Sequence, residues 1–435
     1  MPARWQSADG LSPLRLSLGN APPFDVPARF IALGGTALLA GCVLIALGAD
    51  RLVAPGGWDT PEALGITHIL ALGFVTAIMT GVLYQMLPVI LGARPAPARA
   101  SRLTWWCFLV STAVFTATLI SGHDDLAPIG GIALTLAIAA ITAHAVSVMR
   151  RATRWNVVAV YIAIAVGCLD AVAVMGAVLA VSLRTGMLAD PLSLLAPKIL
   201  LAVGGWLGLV LVGVSYQVVP LFNVSTVRPR CPRPVLLLLS TGLMLGVVAL
   251  AADLAPPVRA AALVPYVAGA VLYVTDIVRL TRFRGRPAGP GITPVGEVAA
   301  AVVFLLTALV ALPAAAGMQP WPQVTVTSAL LGWAPLAISA NGARIFPFLA
   351  WTRAGVPGAA PLAANRIPIR AGLGQLALLG LGWLLLEAGF LTRSGAAART
   401  GGLLLLLGAL AFPALIALAL GGRRFRWAPL GLFTR

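Results

Sequence analysis

Stretches of about 20 consecutive apolar residues recur along the whole chain, and they restrict its fold more than any other feature, because a helix of that length crosses the roughly 30 Å hydrocarbon core of a bilayer. Of the 435 residues, 60% are hydrophobic and only 10% are charged, whereas soluble domains carry roughly 25% charged residues. The sequence therefore predicts an all-α integral membrane protein whose main partner is the lipid bilayer.

Twelve of these stretches are predicted to be membrane spans. They lie near residues 28–48, 63–91, 103–121, 126–148, 156–183, 193–222, 234–252, 257–279, 296–316, 324–350, 370–392 and 400–421. The segment before Arg29 is polar and contains prolines, without a charged head leading into a short apolar core. No cleaved signal peptide is therefore expected.

The positions of the basic residues predict the orientation of the chain. Most of the 30 lysines and arginines fall at the N-terminus, after each even-numbered span and at the C-terminus. The opposite side holds only Arg51, Arg184, Arg259, Arg393 and Arg399. Basic residues accumulate on the cytoplasmic side of membranes, so both termini are predicted to be cytoplasmic, in a bacterial-type inner membrane. The net charge of +17 then follows from topology, and no nucleic-acid partner is expected.

One motif occurs three times at nearly equal spacing. The stretch "GFVTAIMTGVLYQMLP" is followed after 132 residues by "GWLGLVLVGVSYQVVP" and after a further 127 by "GWAPLAISANGARIFP". The recurring positions are Gly73, Tyr84, Gln85, Pro88, Gly205, Tyr216, Gln217, Pro220, Gly332 and Pro347. Each copy falls on the second span of a group of four. The sequence thus predicts one transmembrane domain, 1–435, made of three pseudo-threefold four-helix repeats near 28–150, 151–280 and 281–421.

The motif residues are interpreted as structural. Small residues at intervals of four, namely Gly73, Ala77 and Gly81, let a neighbouring backbone approach closely. Prolines such as Pro88 are expected to end their helices at the inner face, where water satisfies the freed carbonyl groups. Tyr84 and Gln85 are expected at the membrane interface one turn earlier, where tyrosines and amides are common.

Three ionisable side chains stand well inside the predicted spans, where each costs about 2.5–3.5 kcal/mol on insertion scales. His68 lies near the outer start of span 2, and Lys198, the only lysine, lies near the outer start of span 6. Asp170 lies near the middle of span 5. An ion pair between Lys198 and Asp170 is one interpretation, and separate surroundings in the protein interior are the alternative.

Other polar residues near the ends of spans are interpreted as interfacial anchors. Glu297 opens span 9 and Arg344 nears the inner end of span 10, where the two could pair. Glu387 lies near the outer end of span 11. His144 is expected at the inner interface, and His123 in a solvated outer turn, "SGHDDLAP".

The sequence contains none of the common catalytic or metal-binding motifs. Three of the four cysteines lie in predicted spans, and no CxxC spacing occurs, so neither a disulfide framework nor a zinc site is predicted. There is no Walker loop, dinucleotide-binding glycine motif or nucleophile elbow. No catalytic residue and no metal site is therefore assigned.

The opening motif, "H..ALGF......G.LYQ..PV..G" from His68 to Gly92, together with twelve spans in three fours, resembles the heme-copper oxidase subunit I superfamily. It is similar in particular to distant members such as NnrS-like and uncharacterised quinol-oxidase-like membrane proteins. The resemblance implies that His68, at the span-2 ligand position, is an axial ligand of one heme b. The repeat-related positions are Leu200 and Thr327, and spans 6, 7 and 10 contain no histidine. A copper centre built from several imidazoles is therefore not expected.

Three classes of function remain open from the sequence. The resemblance favours an accessory or single-heme protein in respiratory or nitric-oxide metabolism, with other respiratory or membrane subunits as partners and no binuclear enzyme centre. A small-solute or ion transporter that uses Asp170 and Lys198 is one alternative. A ligand-free structural or assembly subunit is the other.

Overall fold

The computed structural model describes residues 22–122, 124–285, 291–354 and 367–421. In these ranges all regular secondary structure is helical, and twelve helices are long and apolar enough to cross a membrane. They are α1 (Asp25–Val53), α2 (Pro61–Leu91), α3 (Ala98–Ser121), α4 (Ala127–Arg150), α5 (Val157–Thr185), α6 (Pro191–Phe222), α7 (Pro232–Ala251), α8 (Pro256–Arg282), α9 (Ile292–Ala315), α10 (Trp321–Pro347), α11 (Ile369–Thr392) and α12 (Gly395–Ala419). All twelve predicted spans are thus confirmed as helices with the features of a multi-pass membrane protein. The end of the bundle at which the even-numbered helices begin is called the outer end below.

Local sequence signals set several helix boundaries. Thr60 caps α2, since its hydroxyl accepts a hydrogen bond from the Ala63 amide at 3.3 Å, and Pro61 follows at the first helical position. The Asn156 side chain caps α5 in the same way through the Ala159 amide at 3.0 Å. These contacts satisfy donors that a helix start leaves open. At the other end, α2 stops at Gly92, whose positive φ of 62° suits a residue without a side chain.

Three helices form the centre of the bundle. In α2, α6 and α10 the buried share of the most apolar segment is 67%, 72% and 89%, whereas it lies between 39% and 50% in the nine other spans. These three are the helices that carry the repeated motif. A central helix contacts protein on most sides, which explains why α10 tolerates a low mean hydropathy of 1.2.

Each central helix contains a π-helical segment near its middle. The segments are Ile69–Thr76, Leu201–Leu207 and Ser328–Trp333, so their first residues are separated by the same 132 and 127 residues as the motif. A π segment leaves carbonyl groups without their usual partners. In α2 the Thr76 hydroxyl donates to the Ala71 carbonyl at 2.8 Å, and in α6 the Tyr266 hydroxyl donates to the Gly204 carbonyl at 3.0 Å.

The first and second helices of the predicted units pack in a recurring register. A Cβ on Gly81 would lie 2.8 Å from the Phe30 Cβ, and one on Gly213 would lie 2.5 Å from the Tyr161 Cβ. Both motif glycines are therefore required for this close approach. The aromatic rings continue the pattern, with centroid distances of 5.3 Å for Phe30–Tyr84 and 6.2 Å for Tyr161–Tyr216.

The expectation that the motif prolines end their helices is wrong. Helical structure continues past Pro88 to Leu91 and past Pro220 to Phe222. It also continues past Pro347, the last residue of the α10 span given above, to Ala354. A proline removes only one donor and disturbs one carbonyl four residues earlier, which a helix close to its end can accommodate. The chain turns shortly afterwards, where the Ala93 amide bonds to the Pro88 carbonyl at 2.9 Å and the Ser225 amide to the Pro220 carbonyl at 3.0 Å.

The expected interfacial position of the motif tyrosines and glutamines is also wrong. Tyr84, Gln85, Tyr216 and Gln217 are all buried, with at most 8% of their surface exposed. They lie on central helices, and neighbouring helices cover those residues from every side. Burial inside the bundle replaces the water that an interfacial side chain would contact.

Candidate functional site

His68 offers one free ring nitrogen. It is the last residue of α2 before the π segment, and its Nδ1 lies 2.8 Å from the Leu64 carbonyl oxygen. A carbonyl can only accept, so Nδ1 carries the proton and Nε2 keeps its lone pair. Among the described residues no hydrogen bond to Nε2 is formed. The ring is held edge-on against Phe115 of α3, with a centroid distance of 5.4 Å.

Lys198 lies close to this histidine. Its ammonium end packs over Gly176 of α5, with Cε 3.4 Å and Nζ 3.7 Å from the place where a Cβ on the glycine would stand. Its charge acts on the His68 ring. In the described part of the chain Lys198 forms no ion pair. These are ordinary van der Waals distances, so the Lys198 side chain lies directly against α5 at Gly176.

The structure does not join Lys198 to Asp170. The Asp170 carboxylate accepts a hydrogen bond from the Thr142 hydroxyl of α4 at 3.0 Å. Asp170 and Gly176 are six residues apart, which leaves them about 120° apart around α5. One therefore faces α4 while the other faces α6, and each charged group has its own surroundings.

The outer half of the seam between α2, α5 and α6 is loosely covered. Half-buried residues occur in the outer half of all three helices. On one side Phe115 of α3 contacts His68, and it also lies beside Gly131 of α4, which packs near Ala177 of α5. At the corresponding depth α10 is buried from Val324 to Ala340. We name this half-open region, defined by His68, Phe115, Gly176 and Lys198, the outer cleft.

The face of α2 that looks toward α10 has no room for a heme. There Ile66, Leu70, Thr327 and Leu330 enclose a small apolar cavity that leaves about 20 Å³ for the centre of a water-sized molecule. A volume of that size holds about one water. His68 also points elsewhere, since it is two residues from Ile66 and from Leu70 and so lies about 160° away around the helix. The resembled clamp between spans 2 and 10 does not fit here, whereas His68 and Lys198 in the outer cleft present a free ligand nitrogen and a free cation.

The structure buries Glu297, so its assignment as an interfacial anchor is wrong. Only 1% of its surface is exposed, and its Oε1 has no hydrogen-bond partner. Its polar neighbours are Asn341 of α10 and Tyr273 of α8, and Tyr273 shares a 2.7 Å hydrogen bond with Ser215. Arg344 lies on α10 one turn beyond Asn341 and is half-buried.

Glu387 was likewise assigned to the interface from the sequence, and this is wrong too. Its side chain is 6% exposed. It accepts hydrogen bonds from Thr327 and Ser328 of α10 and from Trp383 on its own helix. The sequence does carry a signal for the contact between Trp383 and Glu387, because the two residues stand four positions apart and therefore share a helix face.

His144 does not contribute to the outer cleft. His144 stacks on Tyr84 with a centroid distance of 4.3 Å, and its Nε2 lies 3.4 Å from the Ser101 hydroxyl. It is thus half-buried against α2 and α3 in the inner half of the bundle, and its interfacial position stays a prediction. His123 lies outside the described residues. In the described ranges no group of three His, Cys, Asp or Glu side chains could hold a metal ion.

No protein-family model matches the chain, and no curated protein matches it. The resemblance to heme-copper oxidase subunit I therefore depends on the residues and the helix arrangement described above.

Proposed function

We propose that the chain is a multi-pass inner-membrane protein built from three four-helix units around α2, α6 and α10, in an arrangement like that of heme-copper oxidase subunit I. Three observations support the repeat: the central position of these helices, the spacing of their π segments, and the matching glycine–aromatic contacts at Gly81 and Gly213. Heme-copper oxidase-like membership itself is part of the proposal.

Within this framework we propose that the protein is an accessory, single-heme component of respiratory or nitric-oxide metabolism. The observation that carries the proposal is the outer cleft, in which the Nε2 of His68 is free and the Lys198 cation is unpaired among the described residues. His68 would hold the iron of one heme b, and Lys198 would pair with a heme carboxylate. A bound heme would supply one-electron redox chemistry or a site for a small iron ligand.

The chain's own residues prepare this cleft in two ways. The Leu64 carbonyl fixes the His68 tautomer, a backbone contact of the kind that orients ligand histidines in metal sites. The Lys198 side chain packs against α5 at Gly176, and Phe115 holds the imidazole ring from the side. Among the described residues, His68 is the one imidazole in the cleft.

The test is an absorption spectrum and a pyridine-hemochrome assay on protein purified after expression with ample heme. About one heme per chain is the expected result. A protein that stays colourless under these conditions refutes the heme proposal and leaves a structural or assembly subunit.

A change of Lys198 to methionine is expected to lower the retained heme about tenfold, the lower end of losses seen when a supporting partner of a metal ligand is removed. A change of Lys198 to arginine keeps the positive charge and should retain most of the heme. Heme content per chain, measured side by side for both variants, checks this. Equal heme in the methionine variant and the wild type would contradict a role for the cation.

The transporter alternative is weaker in this structure. It required Asp170 and Lys198 to line one path, but Asp170 faces α4, whereas Lys198 of α6 packs against another face of α5. The half-buried Asp170 keeps a neutral hydrogen-bond partner in Thr142, and no geometry links it to the outer cleft.

We further propose that both termini are cytoplasmic, on the basis of the charge asymmetry. Reporter fusions after Arg154 and after Arg286 are expected to read cytoplasmic, because both follow basic loops at the inner end. A fusion after Asp125 should read outside. A reversed signal at any of these positions would refute the orientation.

A further inference from the structure

Glu387 has two carboxyl oxygens in very different surroundings. Oε1 accepts three hydrogen bonds, from the Thr327 hydroxyl at 2.7 Å, the Trp383 indole at 2.8 Å and the Ser328 hydroxyl at 3.1 Å. Oε2 is buried and has no hydrogen-bond partner in the described structure. The side chain stands on α11 against the start of the π segment of α10.

This asymmetry has a chemical meaning. An ionised carboxylate shares its charge between both oxygens, so both attract donors. A neutral carboxylic acid has one carbonyl oxygen, which accepts, and one hydroxyl, which carries the proton. Three donors on Oε1 and none on Oε2 favour the neutral acid with its proton on Oε2, because a buried neutral hydroxyl without a partner costs less than a buried ionised oxygen without one.

Among the described residues, no fixed cation compensates Glu387. Of the helices that pack on α11, α12 contributes Arg399 and α1 contributes Asp50 and Arg51, all exposed near the outer end. Arg51 is paired with Glu62 at 2.9 Å, and Arg393, on α11 itself, is exposed. In the described ranges none of these lies within ion-pair distance of Glu387. The ionisable group on α9 is the carboxyl group of Glu297, which carries no positive charge. The α10 side chains that contact Glu387 are Thr327 and Ser328, and both are neutral.

A polar face leads from this site toward the outer end. Gln323 stands four residues before Thr327, so the two share one face of α10. The Thr327 hydroxyl, whose single hydrogen goes to Glu387, lies 2.8 Å from the Gln323 carbonyl oxygen. The side-chain oxygen of Gln323 is a buried acceptor without a donor. This face gives a proton a polar route between Glu387 and the water at the outer end.

We infer that Glu387 is an exchangeable proton-binding site, neutral in this structure with the proton on Oε2, and that its ionisation acts on the π segment of α10. Ionisation breaks the Oε2–H bond, the proton passes to water at the outer end, and the electron pair stays on the carboxylate. The new charge on Oε2 attracts donors now bound to Oε1. Two of these, Thr327 and Ser328, stand at the start of Ser328–Trp333. The site is independent of the proposed heme cleft.

Infrared difference spectroscopy of the full chain in lipid tests the inference. The wild type at neutral pH is expected to show the carbonyl stretching band of a protonated carboxylic acid, shifted in D₂O because the proton exchanges. Glu387→Gln should remove that band component, while Glu297→Gln, at the other buried glutamate, should leave it. A wild type without such a band, or a Glu387→Gln spectrum that keeps it, would overturn the inference.

Two further measurements separate the proton assignment from misfolding of the variant and from metal binding. Glutamine at position 387 keeps a carbonyl acceptor for the three donors and has no charge, so the variant should melt close to the wild type. If it does not fold, the wild-type band with its D₂O shift still decides the protonation state. Replacing NaCl by choline chloride should leave the band unchanged, and a sodium-dependent loss of the band would assign the site to a metal ion and overturn the proton assignment.

Discussion

Alanine at position 68 is expected to reduce the heme bound per chain to background. The imidazole is the only free nitrogen ligand in the outer cleft among the described residues, and alanine leaves nothing there that can coordinate iron. The packing loss is modest because His68 is half-buried and touches Phe115 from one side. The measurement is the pyridine-hemochrome ratio of heme to protein for variant and wild type purified together.

His144→Ala is the matched control for this experiment. His144 stands on α4 in the inner half, stacked on Tyr84, and should leave the heme content unchanged. An unaltered heme ratio in His68→Ala would move the ligand elsewhere. A loss of heme in both variants would indicate general damage to the fold. A melting curve of each variant would detect such damage.

The twelve spans were predictable because hydrocarbon thickness fixes helix length. The span near 63–91 is observed as Pro61–Leu91, and the span near 370–392 as Ile369–Thr392. The π segments were not predictable in this way. Their sequences are as apolar as the α-helical residues around them, and a change of hydrogen-bond register within a helix leaves no trace in hydropathy.

The positions of polar side chains were harder to predict than the spans. The distance along the helix axis suggested that the Lys198 side chain could reach Asp170. The Asp170 side chain faces α4, however, whereas Lys198 packs against another face of α5. Which face of a helix meets which neighbour depends on how the helices pack. Glu297 and Glu387 were assigned to interfaces because they stand near span ends. Their burial follows from partners on α10, namely Asn341 for one and Thr327 for the other, and such partners come from tertiary packing.

The outer cleft was predictable in part. The sequence marked His68 and Lys198 as unusual because each is an ionisable group inside a span. It could not show that they approach one another, since they belong to different predicted repeats. Gly176 and Phe115, which shape the cleft, carry no sequence signal of their own in a chain with 46 glycines and 14 phenylalanines.

Valine at position 382 is expected to destabilise the fold strongly, whereas valine at position 380 is not. A Cβ on Gly382 would lie 2.7 Å from the Leu405 backbone nitrogen and 2.9 Å from the Gly401 carbonyl oxygen. Both are backbone atoms of α12, so no side-chain rotation relieves the clash, and α11 and α12 must separate. Overpacking of this kind costs typically about 1–3 kcal/mol and sometimes more. Gly380 has no neighbouring atom within 4 Å of its Cβ position.

The comparison of Gly382→Val with Gly380→Val isolates packing from helix propensity, because both place the same β-branched residue two positions apart on one helix. Thermal melting in the same detergent is the measurement, and only the first variant should lose stability by more than about 0.5 kcal/mol, the usual limit for substitutions away from packed sites. Equal losses would show that valine acts through the helix itself and that the close α11–α12 contact is absent. Because Trp383 adjoins Gly382 and donates to Glu387, a forced separation of the two helices should also disturb the carboxyl band assigned to Glu387.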